Sequence, residues 1–284
     1  MNSYKYFFCC LIFFVGLGCQ NKKNNLSSLE KDTIQNNVLL DHSIVAKSFV
    51  LDGVWIRLDY ISSLKKTNSP LKSFNELKDI SSIKISESDI KSKFKASLSL
   101  NNVESSEAIF SYDSLNNLMI KLYWGEGYVS TKVEINGDLM TFNLKGKKFV
   151  FKKIGKTKEE DEFGIQEITN KILFGNNTYT CFDDKNKSCF VNVKFLSDGT
   201  VVNFGTYEKY ELQTSFIVDV NPKDCIILKT SSNDNKKNYH FDIKGKFVYL
   251  YDIIKIKDTL HEEDDEDYED IEKLKLVYIL KNKK

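Results

Sequence analysis

The stretch TFNLKGKKFVF, residues 141–151, decides the fold class because it predicts two short strands joined by a tight turn. With Lys145-Gly146 as a two-residue turn, Phe142 lies directly opposite Phe149. One apolar face then continues across both strands, and polar side chains occupy the other face. The turn chemistry and the alternating pattern agree, which predicts an antiparallel β-hairpin.

Two further turns predict hairpins of the same kind, Asn136-Gly137 in the first half of the chain and Asp198-Gly199 in the second. Alternation of apolar and polar residues dominates from residue 50 onward, which is the pattern of half-buried strands. The two turns predict two cross-strand pairs, Val133 with Met140 and Phe195 with Val202.

The stretch HFDIKGKFVYL, residues 240–250, echoes the opening hairpin. Duplication of a domain and a chance match in a lysine-rich chain both explain such an echo. We predict an all-β fold of two consecutive antiparallel β-meander domains, lipocalin-like or clamshell, the first with a short helical insertion after its first strand. The predicted bounds are 47–154 for the first domain, 155–173 for a polar linker or short helix, and 174–284 for the second domain.

The helical insertion follows the predicted first strand, GVWIRLDY, residues 53–60. Ser69 is placed to cap a helix that has Pro70 at its first position, where a missing backbone N–H costs nothing. Apolar residues then recur at helical spacing, namely Leu71, Phe74, Leu77 and Ile80.

The order of strand, helical pair and meander, with Gly53-x-Trp55 on the first strand, resembles that of lipocalin-like and fatty-acid-binding proteins. The resemblance implies a β-barrel that holds a small apolar or amphipathic ligand.

One face of the predicted first strand carries Trp55, Arg57 and Asp59. If the opposite, aliphatic face packs on the core, this face lines a barrel mouth. Arg57 would then grip an anionic head group, and Trp55 would cover an apolar tail. The alternative is an exposed Arg57–Asp59 pair beside a half-buried Trp55, which contributes little.

The N-terminus begins with one charge, Lys5, followed by an uncharged apolar run at residues 7–18 that ends beside Cys19. A membrane-spanning helix needs about 20 apolar residues, so this run is too short to span. A short apolar run with small residues at its exit is typical of a secretory signal.

The exit Gly16-Leu17-Gly18-Cys19 resembles the signal of bacterial lipoproteins. The resemblance implies a signal peptide at residues 1–18, a lipid such as palmitate on Cys19, and a polar tether at residues 19–46. The chain would then be a cell-envelope protein held at a membrane by lipid, periplasmic or surface-exposed. The alternatives are an ordinary signal cut near Gly18 and an uncleaved short anchor.

The charge is balanced, since the whole sequence has a formal net charge of +1. Removing residues 1–18 removes Lys5 and no acidic residue, which leaves a mature chain of zero net charge. A nucleic-acid partner is therefore not expected.

Two cysteines, Cys181 and Cys189, flank the turn-like stretch at residues 182–188. On a hairpin they would face each other and are candidates for a disulfide. The alternative is a pair of thiols that pack as small apolar groups. No cysteine or histidine spacing indicates a zinc site.

Catalytic signals are sparse, since the three histidines, His42, His240 and His261, belong to no known catalytic motif. The acidic stretch at residues 261–273 lacks the ordered spacing and the glycine of a calcium loop, so we interpret it as a solvated loop. We expect no enzyme activity, no cofactor and no metal.

We therefore predict a non-enzymatic envelope lipoprotein that binds a small apolar or amphipathic ligand through its first domain. The alternative is a protein-interaction or protective lipoprotein with no ligand cavity, for which an exposed apolar or aromatic patch is expected. A hydrolase would require His240 or a carboxylate pair to converge in a cleft.

Overall fold

The structure, a computed structural model, describes residues 51–86, 95–102, 104–156, 164–175, 177–217, 222–231, 235–256 and 271–283. The predicted signal peptide and tether, with Cys19 and His42, lie outside the described residues, as do His261 and most of the acidic stretch.

The first barrel is an antiparallel meander of eight strands that closes by pairing its first strand with its last. Its strands are β1 (Gly53–Arg57), β2 (Ile80–Ile85), β3 (Lys95–Leu100), β4 (Glu104–Tyr112), β5 (Leu118–Trp124), β6 (Gly127–Asn136), β7 (Leu139–Leu144) and β8 (Lys147–Gly155).

The second barrel is also a closed antiparallel meander of eight strands. Its strands are β9 (Thr178–Asp183), β10 (Ser188–Phe195), β11 (Thr200–Phe204), β12 (Tyr207–Leu212), β13 (Cys225–Lys229), β14 (Lys236–Lys244), β15 (Phe247–Ile256) and β16 (Ile271–Asn282). The predicted all-β fold with two successive β-meander units is confirmed, and both units are closed barrels.

Helices lie between β1 and β2 and again between the barrels. They are α1 (Leu58–Thr67), α2 (Pro70–Ser73), a 3-10 turn (Phe74–Leu77) and α3 (Ile165–Leu173). The predicted cap of α2 is confirmed, since the Ser69 hydroxyl accepts a hydrogen bond from the Lys72 N–H at 3.0 Å and Pro70 is the first helical residue.

The first strand is shorter than the sequence pattern predicts, because it ends at Arg57 and the chain continues directly into α1. The strand prediction for residues 58–60 is therefore wrong. Tyr60, Ile61 and Leu64 are all buried on one side of α1, so burial at helical spacing outweighs the short alternating pattern.

The opening hairpin forms as predicted, with Phe142 opposite Phe149. The echo at residues 240–250 forms a hairpin between β14 and β15, with Lys244 opposite Phe247. These are the sixth and seventh strands of the second barrel, whereas the opening hairpin joins the seventh and eighth strands of the first. The echo therefore does not mark equivalent positions in the two barrels.

The turn between β6 and β7 lies one residue later than predicted, since Asn136 pairs with Leu139. Val133 consequently pairs with Phe142 and not with Met140. The predicted pair is wrong by two residues, and because side chains alternate with a period of two, the same face stays buried.

The turn between β10 and β11 has three residues and not the predicted two, since the Leu196 N–H donates to the Thr200 carbonyl at 2.8 Å. Phe195 pairs with Val201 and not with Val202. A one-residue change of register exchanges the two faces, so Val201 is buried and Val202 is 38% exposed.

The interior of the first barrel is filled by its own side chains. Three rings stack in it, with Phe142 5.4 Å from Phe151 and 5.7 Å from Phe149 between centroids. The described interior residues of this cluster are at most 4% exposed. We expected a ligand cavity here, but this packing favours a site elsewhere.

A second core begins on the outer face of β1 and continues through α1 and α3 into the second barrel. Val54 and Ile56 belong to this core, whereas Trp55 between them belongs to the first-barrel interior. The two barrels therefore share buried apolar surface and belong to one compact unit.

Polar contacts also join the barrels. Asp224, which precedes β13, accepts hydrogen bonds from the Ser69 hydroxyl and from the Leu71 N–H, the latter at 2.8 Å. Asn102, which follows β3, donates to the Thr214 carbonyl at 3.0 Å. The start of α2 is thus bonded to the second barrel.

We expect Asp224→Ala to lower the free energy of unfolding by about 1 to 2 kcal/mol, because two donors at the start of α2 lose their acceptor. Asp224→Asn should cost less, since the Asn carbonyl can accept from Leu71 and its amide can donate to Ser69. Urea denaturation of both variants measures the difference, and equal costs would contradict this role for the carboxylate.

The same site predicts a pH dependence. Burial raises the pKa of Asp224 above its ordinary value of 3.8, and the hydrogen bonds from Ser69 and Leu71 only partly oppose this. A raised pKa in the folded state means that the charged form is disfavoured by folding. The free energy of unfolding of the natural chain, minus that of Asp224→Asn, should therefore be largest below pH 3.8. This difference should fall as the pH rises through the raised pKa of Asp224. A constant difference over this range would contradict the prediction.

Candidate functional site

The candidate site is a groove with a volume of 440 Å³ between α1, the end of β8 and α3. Its lining side chains are of two kinds only. The apolar ones are Ile61, Ile154, Ile168 and Ile172, and the charged ones are Lys65, Lys152, Lys153 and Lys171. We call this feature the lysine groove.

Helical spacing explains two walls of the lysine groove. Ile61 and Lys65 are four residues apart on α1, so they lie on the same face. Ile168 and Ile172 have the same spacing on α3, with Lys171 beside them. Each helix therefore presents isoleucine next to lysine along one side.

The third wall is the end of β8, where Lys152 pairs with Ile56 and Lys153 pairs with Trp55. The β1–β8 pairing becomes irregular between Val54 and Trp55. The Lys153 ammonium lies 5.5 Å from the centroid of the Trp55 ring. Both lysines line the groove, with Lys152 on the face of Ile56 and Lys153 on the opposite face, with Trp55.

A buried hydrogen bond fixes α1 against α3. The Tyr60 hydroxyl lies 2.7 Å from the Thr169 hydroxyl, which donates to the Ile165 carbonyl at 2.7 Å. Burial raises the pKa of the Tyr60 hydroxyl, so it stays protonated and neutral. The two helical walls are held at a defined separation.

The electrostatic environment of the lysine groove is positive. Lys152 forms an ion pair with Asp138 at 3.1 Å. Lys65 and Lys171 are exposed and form no ion pair with any residue that the structure describes. Among the residues that the structure describes, no acidic side chain lines the groove.

The partly buried Lys153 has a lowered pKa. Burial lowers the pKa of its ammonium, and repulsion from Lys156 adds to this, whereas Asp52 acts in the opposite direction. Asp52 also forms an ion pair with Lys156 at 3.0 Å. An anion bound beside Lys153 would relieve this repulsion.

The residues that the sequence indicated as ligand contacts lie elsewhere. Trp55 is fully buried inside the first barrel and donates from its indole N–H to the Leu51 carbonyl at 2.9 Å. Asp59 is on α1, not on the strand, and its side chain is 52% exposed. Their role in ligand binding stays a prediction, and the lysine groove is the site that the geometry favours.

Arg57, the last residue of β1, is also buried. Its guanidinium lies 4.9 Å above the Phe149 ring and donates to the Ile80 carbonyl at 3.4 Å and to the Asp59 carboxylate at 3.0 Å. Its Nε is buried without a partner. Arg57 thus contacts groups of its own chain at positions where we expected a ligand.

His240 lies on β14, and its Nδ1 is 3.0 Å from the Asp224 carbonyl oxygen. Its Nε2 is 3.6 Å from Asp242, which is beyond a good hydrogen bond. Among the described residues, no group of three or more His, Cys, Asp or Glu side chains is arranged to hold a metal ion.

The two hairpin cysteines are in contact, with 3.3 Å between the Cys181 and Cys189 sulfurs. Cys181 is buried and Cys189 is exposed. Burial raises the pKa of the Cys181 thiol, and its contact with Cys189 adds to this. An oxidant would therefore react first with the thiol of Cys189, which is the more accessible of the two.

We expect these thiols to form a disulfide under oxidising conditions, since the sulfurs need only a small approach. Closing a short loop stabilises a fold by about 2 kcal/mol. The Cys189→Ser variant should therefore have a lower melting temperature than the oxidised natural chain. Its melting temperature should equal that of the reduced natural chain. Peptide mapping without reductant detects the disulfide, and two free thiols after exposure to an oxidant would contradict the prediction.

None of the eight groove residues was singled out by the sequence, because their convergence depends on the packing of three separate elements. None of the described helices is long and apolar enough to cross a membrane. No protein-family model matches the chain, and neither a curated protein nor a solved structure shows significant similarity to it.

Proposed function

We propose that this chain is a cell-envelope lipoprotein, anchored through Cys19, that binds a small amphipathic ligand in the lysine groove. The observation that carries the proposal is the joint presence of four isoleucines and four lysines around one 440 Å³ groove. Sites for small molecules have volumes of about 300 to 1,000 Å³ and combine an apolar lining with a few polar groups. In this proposal the protein acts by binding its ligand.

The location of the groove supports this proposal over binding inside a barrel. The stacked rings of the first barrel occupy its interior. The groove instead lies between secondary-structure elements that the Tyr60–Thr169 hydrogen bond holds together. The site is therefore formed before the ligand arrives, which reduces the ordering cost of binding.

Native purification from the envelope, followed by mass spectrometry, tests both parts of the proposal. We expect an acylated N-terminal peptide beginning at Cys19 and an amphipathic molecule that leaves the protein only on denaturation. An unmodified Cys19 peptide would overturn the anchor. Absence of such a molecule, together with no binding to any dodecyl amphiphile, would overturn the ligand site.

A second candidate function, interaction with another envelope protein, is favoured by a specific surface feature. Tyr123 and Tyr128 are paired across β5 and β6, are 52% and 68% exposed, and have ring centroids 5.5 Å apart. Exposed aromatic residues are enriched at protein interfaces.

A photo-cross-linker at position 128, used in cells, tests this second function. We expect a defined adduct that is lost on Tyr123→Ser and is absent when the cross-linker is placed at Lys209, on the other barrel. Identical adduct patterns at both positions would contradict it.

A further inference from the structure

Resting on the proposed function, we infer that the ligand of the lysine groove is a phosphorylated amphiphile, in which an apolar tail ends in a phosphate monoester. The inference depends on the donors and charges that line the groove, the way they are distributed, and the size of the apolar floor.

The described side chains that line the groove offer hydrogen-bond donors and no acceptors. An ammonium group has three donors and no acceptor, and isoleucine has neither. At Lys152 the backbone of β8 is paired with both β1 and β7. A ligand head group must therefore supply acceptor oxygens, which disfavours cationic groups and donor-rich sugar alcohols.

The distribution of the lysines favours a phosphate over a carboxylate. Lys65, Lys171 and the Lys152–Lys153 pair come from three different elements that wall the groove. A phosphate monoester has three terminal oxygens and a charge of about −1.5 to −2 at pH 7. A carboxylate offers two oxygens in one plane and one charge, so it leaves more of this positive field unmatched.

The charged groups around the groove also favour a phosphate over a carboxylate. The carboxylates beside the groove, Asp138 and Asp52, are engaged with Lys152 and Lys156. Burial lowers the pKa of Lys153, so its partly buried ammonium lacks some of the water that would stabilise its charge. A dianion stabilises such an ammonium more than a monoanion does.

The four isoleucines that line the groove, its apolar floor, explain why free phosphate is not the ligand we infer. The four isoleucines would bury part of an alkyl tail, and each buried methylene contributes about 0.8 kcal/mol. Burial of only four methylenes would strengthen binding about 200-fold. Inorganic phosphate has no group to occupy this floor.

Calorimetry on the mature chain with Cys19→Ser, which carries no acyl chain of its own, tests the inference. The probes are dodecyl phosphate, dodecanoate, dodecyl maltoside and inorganic phosphate, all below micellar concentrations. We expect dodecyl phosphate to bind tightest, with dodecanoate about tenfold weaker for the loss of one charge-assisted hydrogen bond. Inorganic phosphate should bind at least about 100-fold more weakly than dodecyl phosphate.

A matched pair of double variants locates the site. Lys65→Gln/Lys171→Gln removes two groove lysines, whereas Lys66→Gln/Lys148→Gln removes two exposed lysines outside the groove. Both change the charge equally. We expect about tenfold weaker binding of dodecyl phosphate to the first variant, a change below twofold for the second, and unchanged melting temperatures for both.

The outcomes separate this inference from the proposed function. Equal affinities for the phosphate, carboxylate and maltoside probes would overturn the phosphate head group and leave amphiphile binding standing. Inorganic phosphate binding as tightly as dodecyl phosphate would overturn the amphiphile. Failure of all three dodecyl probes would overturn both, and equal losses in the two double variants would overturn the site.

Discussion

Replacing Phe174 by alanine is expected to lower the free energy of unfolding by about 3 to 5 kcal/mol. Phe174 directly follows α3, is fully buried, and packs against three rings of the second barrel. The centroid distances are 5.1 Å to Phe195, 5.7 Å to Phe241 and 6.0 Å to Tyr210. Truncation would leave a cavity between rings that belong to separate strands and cannot easily collapse.

The loss should extend to ligand binding, because α3 carries Ile168, Lys171 and Ile172 of the lysine groove. Phe174 is the side chain that attaches the end of this helix to the barrel interior. In the alanine variant we expect α3 to be less firmly held, so binding of dodecyl phosphate should weaken although residue 174 does not line the groove.

Chemical denaturation measures the stability loss. Tyr123→Ala is the control, because Tyr123 is 52% exposed and a surface truncation of this kind changes stability by about 0.5 kcal/mol or less. Phe174→Leu should cost less than half as much as alanine, since most of the volume is kept. A cost below about 1 kcal/mol for Phe174→Ala would contradict the anchoring role.

The fold class could be predicted because a strand that is buried on one face has a period of two, and this sequence keeps that period through most strands. The turn residues of the opening hairpin gave its register correctly, with Phe142 opposite Phe149. The other two predicted registers were wrong, because one turn begins at the glycine itself and the other has three residues. Closure of each meander also agrees with the pattern, since a closed barrel leaves no strand edge unpaired.

The helix that follows β1 could not be predicted, because residues 58–60 continue the alternation of the strand before them. Only the contacts of Tyr60 with α3 and of Leu64 with the shared core make the helical conformation favourable. Tertiary packing overrides local pattern in such short segments.

The lysine groove could not be predicted from the sequence for a related reason. Lys65 and Lys171 are more than a hundred positions apart, and nothing local distinguishes them from the other lysines of a lysine-rich chain. The isoleucines beside them have the spacing expected of any amphipathic helix. Only the packing of α1 and α3 against β8 turns ordinary helical faces into a site.

The sequence correctly placed Trp55 and Arg57 on one face of β1, but it could not tell which face points into the barrel. Alternation assigns residues to two faces without naming the buried one. An arginine is rarely buried unless it is paired, so we expected this face to be open. The structure instead buries Arg57 to 3% exposure and gives it a carboxylate two residues later.

This arrangement predicts an asymmetric response to mutation. Asp59→Ala is expected to cost about 3 kcal/mol, because it leaves a buried guanidinium without a counter-charge. The remaining contacts of Arg57 are a long hydrogen bond of 3.4 Å to the Ile80 carbonyl and the face of Phe149. Neither provides negative charge equal to that of the lost carboxylate.

Arg57→Met should cost less than Asp59→Ala, since it removes the buried charge and keeps most of the packing on Phe149, while Asp59 stays solvated at 52% side-chain exposure. The double variant Arg57→Met/Asp59→Ala should therefore recover most of the stability lost in Asp59→Ala. Urea denaturation of the three variants completes a double-mutant cycle.

Glu107→Ala is the matched carboxylate control, because Glu107 pairs with Lys95 on the surface, where both side chains are substantially exposed. Its removal should cost no more than about 1 kcal/mol. If Asp59→Ala and Glu107→Ala cost the same, Arg57 is hydrated in the folded protein and does not depend on Asp59. If Asp59→Ala alone is costly and Arg57→Met rescues it, then Asp59 compensates the charge of Arg57 inside the barrel, and the face that the sequence suggested for a ligand is occupied by the chain itself.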